Sequence, residues 1–193
     1  MLDNLKKYTI FLASGSPRRR QLLADLGIDF EVRCLNDIDE SYPDDMPADD
    51  VAEYISQKKA TAYKGQITGN ELYITADTVV VCDGRVLVKP ADRNEAVAML
   101  RRLSGNVHHV VTGVTVVTEC RSVSFSVATE VSFARLTDEE INFYVDNFKP
   151  LDKAGAYGIQ EWIGFVGVES ISGSYFNVMG LPVQRLYQEL KRL

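Results

Sequence analysis

The spacing of apolar positions changes period along the chain, and the changes mark its elements. Thr9–Ala13 is a short unbroken apolar run and predicts a buried strand. Ser14-Gly15-Ser16-Pro17 then turns the chain; Ser16 suits a helix N-cap and Pro17 the first helical position. The helix runs to about Leu26, with Leu22, Leu23 and Leu26 inward and Gly27 closing it. Phe30–Cys34 reads as a second strand, and 36–50, with Pro43 and Pro47, as a loop. A helix from about Asp49 to Lys64 places Val51, Ile55, Lys58 and Ala62 on one face, with Tyr54 beside it. Two strands, Leu72–Thr75 and Val79–Cys82, flank Ala76-Asp77-Thr78. Asp83-Gly84 is a strong hairpin signal returning through Arg85–Leu87.

Asp92 caps a helix to about Leu103, striped by Ala96, Leu100 and Leu103, and Ser104-Gly105-Asn106 ends it. Val107–Thr118 is a Val/Thr-rich strand. In Ser122–Phe133 the apolar Val123, Phe125, Val127, Val131 and Phe133 alternate with serines, the pattern of a half-buried antiparallel strand. Thr137–Asn147 is a helix opening with a Thr cap and a run of acids. Asp152–Gln160 is punctuated by glycine, Ile163–Ile171 reads as a strand, Ser172–Met179 as a polar turn, and a helix runs from about Leu181 to the end. Helices and strands alternate early and hairpins fill the middle. The fold class is α/β, or α+β, on a long mixed sheet. The length of 193 residues suits one domain with two lobes.

Charge first excludes a class and then qualifies the exclusion. A net charge of −6 argues against nonspecific binding to nucleic acid or an anionic membrane. Yet residues 34–57 hold eight acids (Asp37, Asp39, Glu40, Asp44, Asp45, Asp49, Asp50, Glu53) and no Lys or Arg; the rest carries 21 basic and 19 acidic residues, a net of +2. An anionic ligand can still meet a basic site elsewhere. Cys34, Cys82 and Cys120 form no C-x-x-C pair, which argues against structural zinc and fits a reducing cytosol. His108 and His109 are adjacent, so in a strand they face opposite sides. No run approaches the length of a membrane span, and the apolar N-terminal stretch is too short for a signal-peptide core. A soluble cytoplasmic protein is expected.

Candidate chemistry gathers in a few places. The strand–turn–helix Leu12–Arg20 offers backbone N–H groups, the Ser14 and Ser16 hydroxyls and the forked donors of Arg18 and Arg19 to a phosphate. An ordinary capped helix with solvated arginines is the plain alternative. Asp77 lies inside an apolar strand-like run, where a carboxylate is costly unless paired or used: as a metal ligand, a general base, or the partner of a buried Lys. Lys89 leaves a hydrophobic strand on the same hairpin. Gln160 ends a stretch of small residues and can both donate to and accept from a base edge.

Taken together, LASGSPRR (12–19), ADT (76–78), KP (89–90), LSG (103–105), TGV (112–114), DKAGAYGIQ (152–160) and GSYFNVMGLP (173–182) resemble the motifs of the Maf family of nucleotide pyrophosphatases. The resemblance spans essentially the whole chain. It implies an elongated α/β fold, a mixed sheet with flanking helices and two lobes around a cleft, similar to inosine-triphosphate pyrophosphatases. It also implies a metal-dependent hydrolase that cleaves a nucleoside triphosphate to the monophosphate and diphosphate.

By the same resemblance Asp77 is the proton acceptor, and Ser14, Arg18, Arg19, Lys59 and Lys89 contact phosphates, with Lys58 the other candidate on the second helix. A divalent cation, Mg²⁺ or Mn²⁺, is expected on Asp77 or Glu31. Arg18, Thr78 and Gln160 match the branch acting on dTTP and UTP; the branch acting on 7-methyl-GTP usually has Ser after the Asp and lacks this Gln. Family members commonly carry Gly after YGIQ, where this chain has Glu161. The expected partner is a small nucleotide, not nucleic acid or a membrane, and a homodimer is an allowed assembly. The other function class carried forward is a non-catalytic nucleotide-binding regulator of septum formation, which loss of the Asp or the basic residues would favour; none is lost.

Overall fold

Among the described residues of this computed structural model, 2–36 and 38–193, seven strands form one mixed sheet. Met1 and Asp37, the latter one of the acids of segment 34–57, lie outside the described residues. In chain order the elements are β1 (Thr9–Leu12), α1 (Pro17–Asp25), β2 (Glu31–Val32), α2 (Val51–Tyr63), β3 (Glu71–Cys82), β4 (Arg85–Leu87) and α3 (Arg93–Leu103). They continue with β5 (Val107–Thr118), β6 (Ser122–Phe133), α4 (Asp138–Phe148), α5 (Trp162–Gly167), β7 (Val168–Ser172), α6 (Tyr175–Val178) and α7 (Val183–Leu190). The sheet order is β2-β1-β3-β5-β6-β7, with β4 also paired to β3. β1 runs parallel to β2 and β3; β3–β4 and β6–β7 are antiparallel.

The chain divides into two compact units. The first comprises Met1–Asp77, Thr112–Val127 and Gly180–Leu193. Its core includes Phe11, Tyr63, Tyr73 and Val117, with Phe11 stacked on Tyr73 and Tyr63 tilted against it, each pair 4.9 Å between centroids. Three contacts fasten α2 here. The Thr75 hydroxyl donates to the Ser56 carbonyl at 2.7 Å, and the Ser56 and Thr115 hydroxyls lie 2.8 Å apart. Gly113 has its bare Cα against the Ala52 carbonyl, where any side chain would collide with helix backbone.

The second unit comprises Thr78–Val111 and Ala128–Met179. Leu100, Leu103, Val131, Phe133, Ile141 and Tyr144 form the centre of its core. Asp92 caps α3, and Thr137 with Glu140 makes a capping box on α4. His108, Phe133 and Tyr157 pack edge to face, with centroids 5.0–5.4 Å apart.

Several expectations are met closely: Ser16 caps α1 with Pro17 at its first position, Asp83-Gly84 turns the β3–β4 hairpin at positive φ, and β5 and β6 have the bounds read from the sequence. Others need correction. β3 is one strand through Asp77, because Lys59 compensates the carboxylate and the chain need not turn out to solvent. The buried face of α2 is Val51, Ala52, Ile55, Ser56, Ala60 and Tyr63, while Ala62 is exposed. Ser56 and Tyr63 belong inside because their hydroxyls find partners there: Glu53 and Thr115 for Ser56, Arg33 and Leu35 for Tyr63. The run Ile163–Ile171 divides into α5 and β7; Gly164 lets its helix press on the Ile159 carbonyl, a contact its apolar period could not reveal. The second strand shortens to Glu31–Val32, and the polar turn 172–179 contains α6, capped by Ser174.

Candidate functional site

In the first unit the turn after β1 is held by its own hydroxyls. Ser16 accepts from the Arg19 amide as the α1 cap. The buried Ser14 hydroxyl accepts from the Ser16 amide and from Arg19 Nη1, both at 3.3 Å. Arg19 Nη1 also donates to the Ala76 carbonyl at 2.9 Å, and Arg19 Nε to the Gly180 carbonyl at 2.8 Å. The Ala76 carbonyl is available for a reason of register: β1 pairs with β3 as far as Ile74, and β4 pairs with it only from Val80. Burial pulls the Arg19 guanidinium below its ordinary value, Asp77 and Glu40 oppose that pull, and Arg18 adds to it. Arg19 is thus a cation fixed by neutral acceptors beside two carboxylates. Arg18 is half-buried on the first turn of the same helix.

The carboxylates meet at Lys59, whose ammonium lies 2.7 Å from Asp77 Oδ1 and 2.8 Å from Glu40 Oε1. The Lys59 and Asp77 side chains are nearly buried, and that of Glu40 is half exposed. Lys58, about 100° further round the helix, goes elsewhere: it donates to Asp39 Oδ2 at 2.9 Å and to the Ser41 carbonyl at 2.7 Å. The Lys58 hydrogen bond, with those from Ser41, holds the Asp39 carboxyl well below the usual range. Consecutive lysines of α2 therefore hang the acidic loop on the helix, and Lys59 is the one turned toward Asp77. Glu31 is exposed on β2 opposite Phe11, and its carboxylate has no hydrogen bond or ion pair with another described residue. The carboxylate that stands with Asp77 is Glu40, which the sequence reading counted only as part of an acidic run.

In the second unit Thr78 follows Asp77 along β3 and is half-buried. Lys89 is exposed just beyond β4. Its neighbour Val88 accepts from the Gly155 amide at 3.2 Å, so the Lys89 segment and the DKAGAYGIQ stretch adjoin. Gly155 is required there twice over, by a φ of +65° and by the Val80 side chain, which a Cβ would meet at 2.8 Å. Gln160 is half-buried, and its Oε1 is fully buried with no hydrogen-bond partner among the described residues. Lys153, 8% exposed, was not singled out in the sequence; it pairs with Asp152 and Glu161.

These groups suit anionic chemistry. Positioned guanidinium and ammonium groups stabilise charge on phosphoryl oxygens, and a carboxylate can take a proton from water. Among the described residues, no group of three or more His, Cys, Asp or Glu side chains converges as a metal cage, and no helix is long and apolar enough to cross a membrane. A family model described as "Maf-like protein" matches residues 9–193. The chain belongs to the Maf family. Among the relatives of this Maf chain, a protein of Parabacteroides distasonis named dTTP/UTP pyrophosphatase is 61% identical over 191 residues, covering 99% of each chain. One of the same name from Phocaeicola vulgatus is 58% identical over 193 residues, covering 100% of each. A solved structure described as a HAM1 protein from Coxiella burnetii aligns with 96% of this Maf chain and 100% of its own, at 13% identity and a TM-score of 0.49.

Proposed function

We propose that this Maf protein hydrolyses dTTP and UTP to the monophosphate and diphosphate. The observation that carries the reading is 58–61% identity, over essentially the whole of each chain, to relatives named dTTP/UTP pyrophosphatase. The residues support it. Asp77 takes a proton from water as the water oxygen bonds to the α-phosphorus; the bond from that phosphorus to the bridging oxygen breaks, and diphosphate departs with the electron pair. Ser14, Arg18, Arg19, Lys59 and Lys89 are the groups we assign to phosphoryl oxygens, where their charge and hydrogen bonds stabilise the charge that develops. Arg18, Thr78 and Gln160 set the preference among nucleotides, with Gln160 meeting the O4/N3 edge of thymine or uracil.

A divalent cation, Mg²⁺ or Mn²⁺, fits the donors present. Asp77 and Glu40 supply carboxylate oxygens that already bracket one positive group, the Lys59 ammonium. Such hard oxygen donors, few in number, suit an ion that keeps waters and substrate phosphates in its shell. When bound, the cation offsets triphosphate charge. Cys34, Cys82 and Cys120 are free thiols, which supports a cytosolic setting.

The test is diphosphate release from a panel of UTP, dTTP, CTP, GTP, ITP and XTP with Mg²⁺ or Mn²⁺. UTP and dTTP should lead, and Asp77→Asn should lower the rate by roughly 10³-fold. Faster turnover of ITP or XTP, or an undiminished Asp77→Asn, would refute the reading.

A further inference from the structure

This inference rests on the reading of Gln160 as the residue that meets the base. Gln160 ends a segment of small residues, and such a stretch has little side-chain packing to hold it. Its two ends are nevertheless tied. Lys153 Nζ lies 3.1 Å from Glu161 Oε1 and 2.7 Å from Asp152 Oδ1. The other Glu161 oxygen accepts from the Tyr144 hydroxyl. That same phenol oxygen accepts from the Gly158 amide at 3.0 Å, and the Glu161 amide donates to the Gly158 carbonyl at 2.9 Å. Tyr144 is fully buried on α4, so the tie is anchored in a helix of the core.

Gly158 lies at the centre. A Cβ there would fall 2.9 Å from Glu161 Cδ, 3.0 Å from Lys153 Cε and 3.1 Å from Gln160 Nε2. The Gln160 amide and the ion pair therefore pack on the same bare Cα. A nearly buried ion pair is a poor source of net stability, because desolvation consumes most of the Coulomb gain. Its geometry is the better reason for its presence. Gln160 Oε1, buried without a partner among the described residues, is likewise costly until a donor meets it.

We propose that Lys153, Glu161 and Tyr144 form a clasp that positions Gln160, so that discrimination between uracil and cytosine nucleotides depends on these three residues acting through it. The chemistry explains why position matters. Uracil offers an acceptor and a donor side by side, and cytosine offers the reverse. An amide free to turn over serves both, whereas a held one separates them. All three are positioning residues. Glu161, whose two oxygens meet Lys153 and Tyr144, is the member that closes the clasp.

The experiment measures kcat and KM for UTP and CTP in wild type, Glu161→Ala, Glu161→Gln, Tyr144→Phe, Gln160→Ala and Gln160→Ala/Glu161→Ala, with the thermal midpoint of each. Glu161→Ala and Tyr144→Phe should raise KM for UTP about tenfold, hold kcat within about threefold and narrow the UTP:CTP ratio of kcat/KM about tenfold. Glu161→Gln, which keeps an oxygen for Tyr144, should recover most of the ratio. Gln160→Ala should narrow the ratio as far, and the double variant no further, because the clasp acts through Gln160. If Glu161→Ala does not fold, Tyr144→Phe, which keeps the buried ring, carries the test. A merely structural role would lower the midpoint and scale kcat equally for both nucleotides; that result overturns the clasp. A selective wild type whose ratio falls in Gln160→Ala but not in Glu161→Ala or Tyr144→Phe overturns the clasp alone. A wild type with no preference for UTP over CTP overturns the proposed function and the clasp together.

Discussion

The Cα of Gly113 in β5 lies against the carbonyl of Ala52 in α2, so closely that a Cβ there would sit 2.3 Å from the Ala52 oxygen and 2.3 Å from the Glu53 amide nitrogen. Both obstacles are backbone, and backbone cannot swing aside as a side chain tip can. The contact sets where α2 lies, and hence where Lys59 stands relative to Asp77. Gly113→Ala should destabilise the protein by about 3 kcal/mol, the upper end of overpacking effects. At this chain length that lowers the thermal midpoint by roughly 6–12 °C. Calorimetry checks it, and a midpoint within a degree or two of wild type would show that the helix shifts freely.

Much of this arrangement was legible in the sequence because local chemistry agreed with the fold. Ser16-Pro17, Asp92 and Thr137 mark helix starts whatever lies around them, and each caps its helix. The motif residues Ser14, Arg19, Lys59 and Asp77 also come together in the first unit. What escaped was set by partners distant in sequence. Asp77 was read as a break between strands, since its compensating ammonium lies 18 positions earlier. Ser56 is absent from the face that the apolar period picks out, since the hydroxyl that satisfies it is 59 positions later. Glu40 was hidden among like charges; the only cue that separates it from Asp39 is the pair of adjacent lysines, which present opposite neighbours to the loop.

The division of labour between those lysines is directly testable. Lys59 touches Asp77 and Glu40, whereas Lys58 touches Asp39 and Ser41. Lys59→Met should lower kcat/KM for UTP by about 10²-fold, the scale of losing one charge-stabilising donor. Lys58→Met breaks an exposed ion pair, which solvent screens, and should leave the thermal midpoint nearly unchanged and cost less than about threefold in rate. Steady-state kinetics of the two variants decides between them, and equal losses would refute the assignment.

A metal titration would separate Glu40 from Glu31 as the second carboxylate for the proposed cation. Chelation with EDTA should abolish turnover, and added Mg²⁺ or Mn²⁺ should restore it. Glu40→Gln removes one of the two carboxylate charges that bracket Lys59, and the Mg²⁺ concentration for half-maximal rate should rise about tenfold. Glu31→Gln, on the exposed strand β2, should leave that concentration within about twofold. A metal titration that moves for Glu31→Gln and not for Glu40→Gln would return the metal to β2.

His108 ties stability to pH beneath the DKAGAYGIQ stretch. Its ring is buried between Phe133 and Tyr157, with Nε2 2.8 Å from the Tyr157 hydroxyl, and Nδ1 is buried without a partner among the described residues. Burial, with His109 adding to it, pushes the imidazole down to about 4. The sign follows from proton counting. Below the unfolded value of about 6.5 the unfolded chain takes up a proton that the folded chain refuses until about pH 4, so stability falls as pH drops through that window. The loss from this group should reach about 2 kcal/mol at pH 5 relative to pH 8. His108→Gln keeps a polar partner for Tyr157 and removes the titration. Urea unfolding at pH 8 and pH 5 should therefore show a smaller stability difference in the variant than in wild type by roughly that amount, whatever the carboxylates contribute to both. Equal differences in the two proteins would mean that the buried ring takes its proton as readily folded as unfolded.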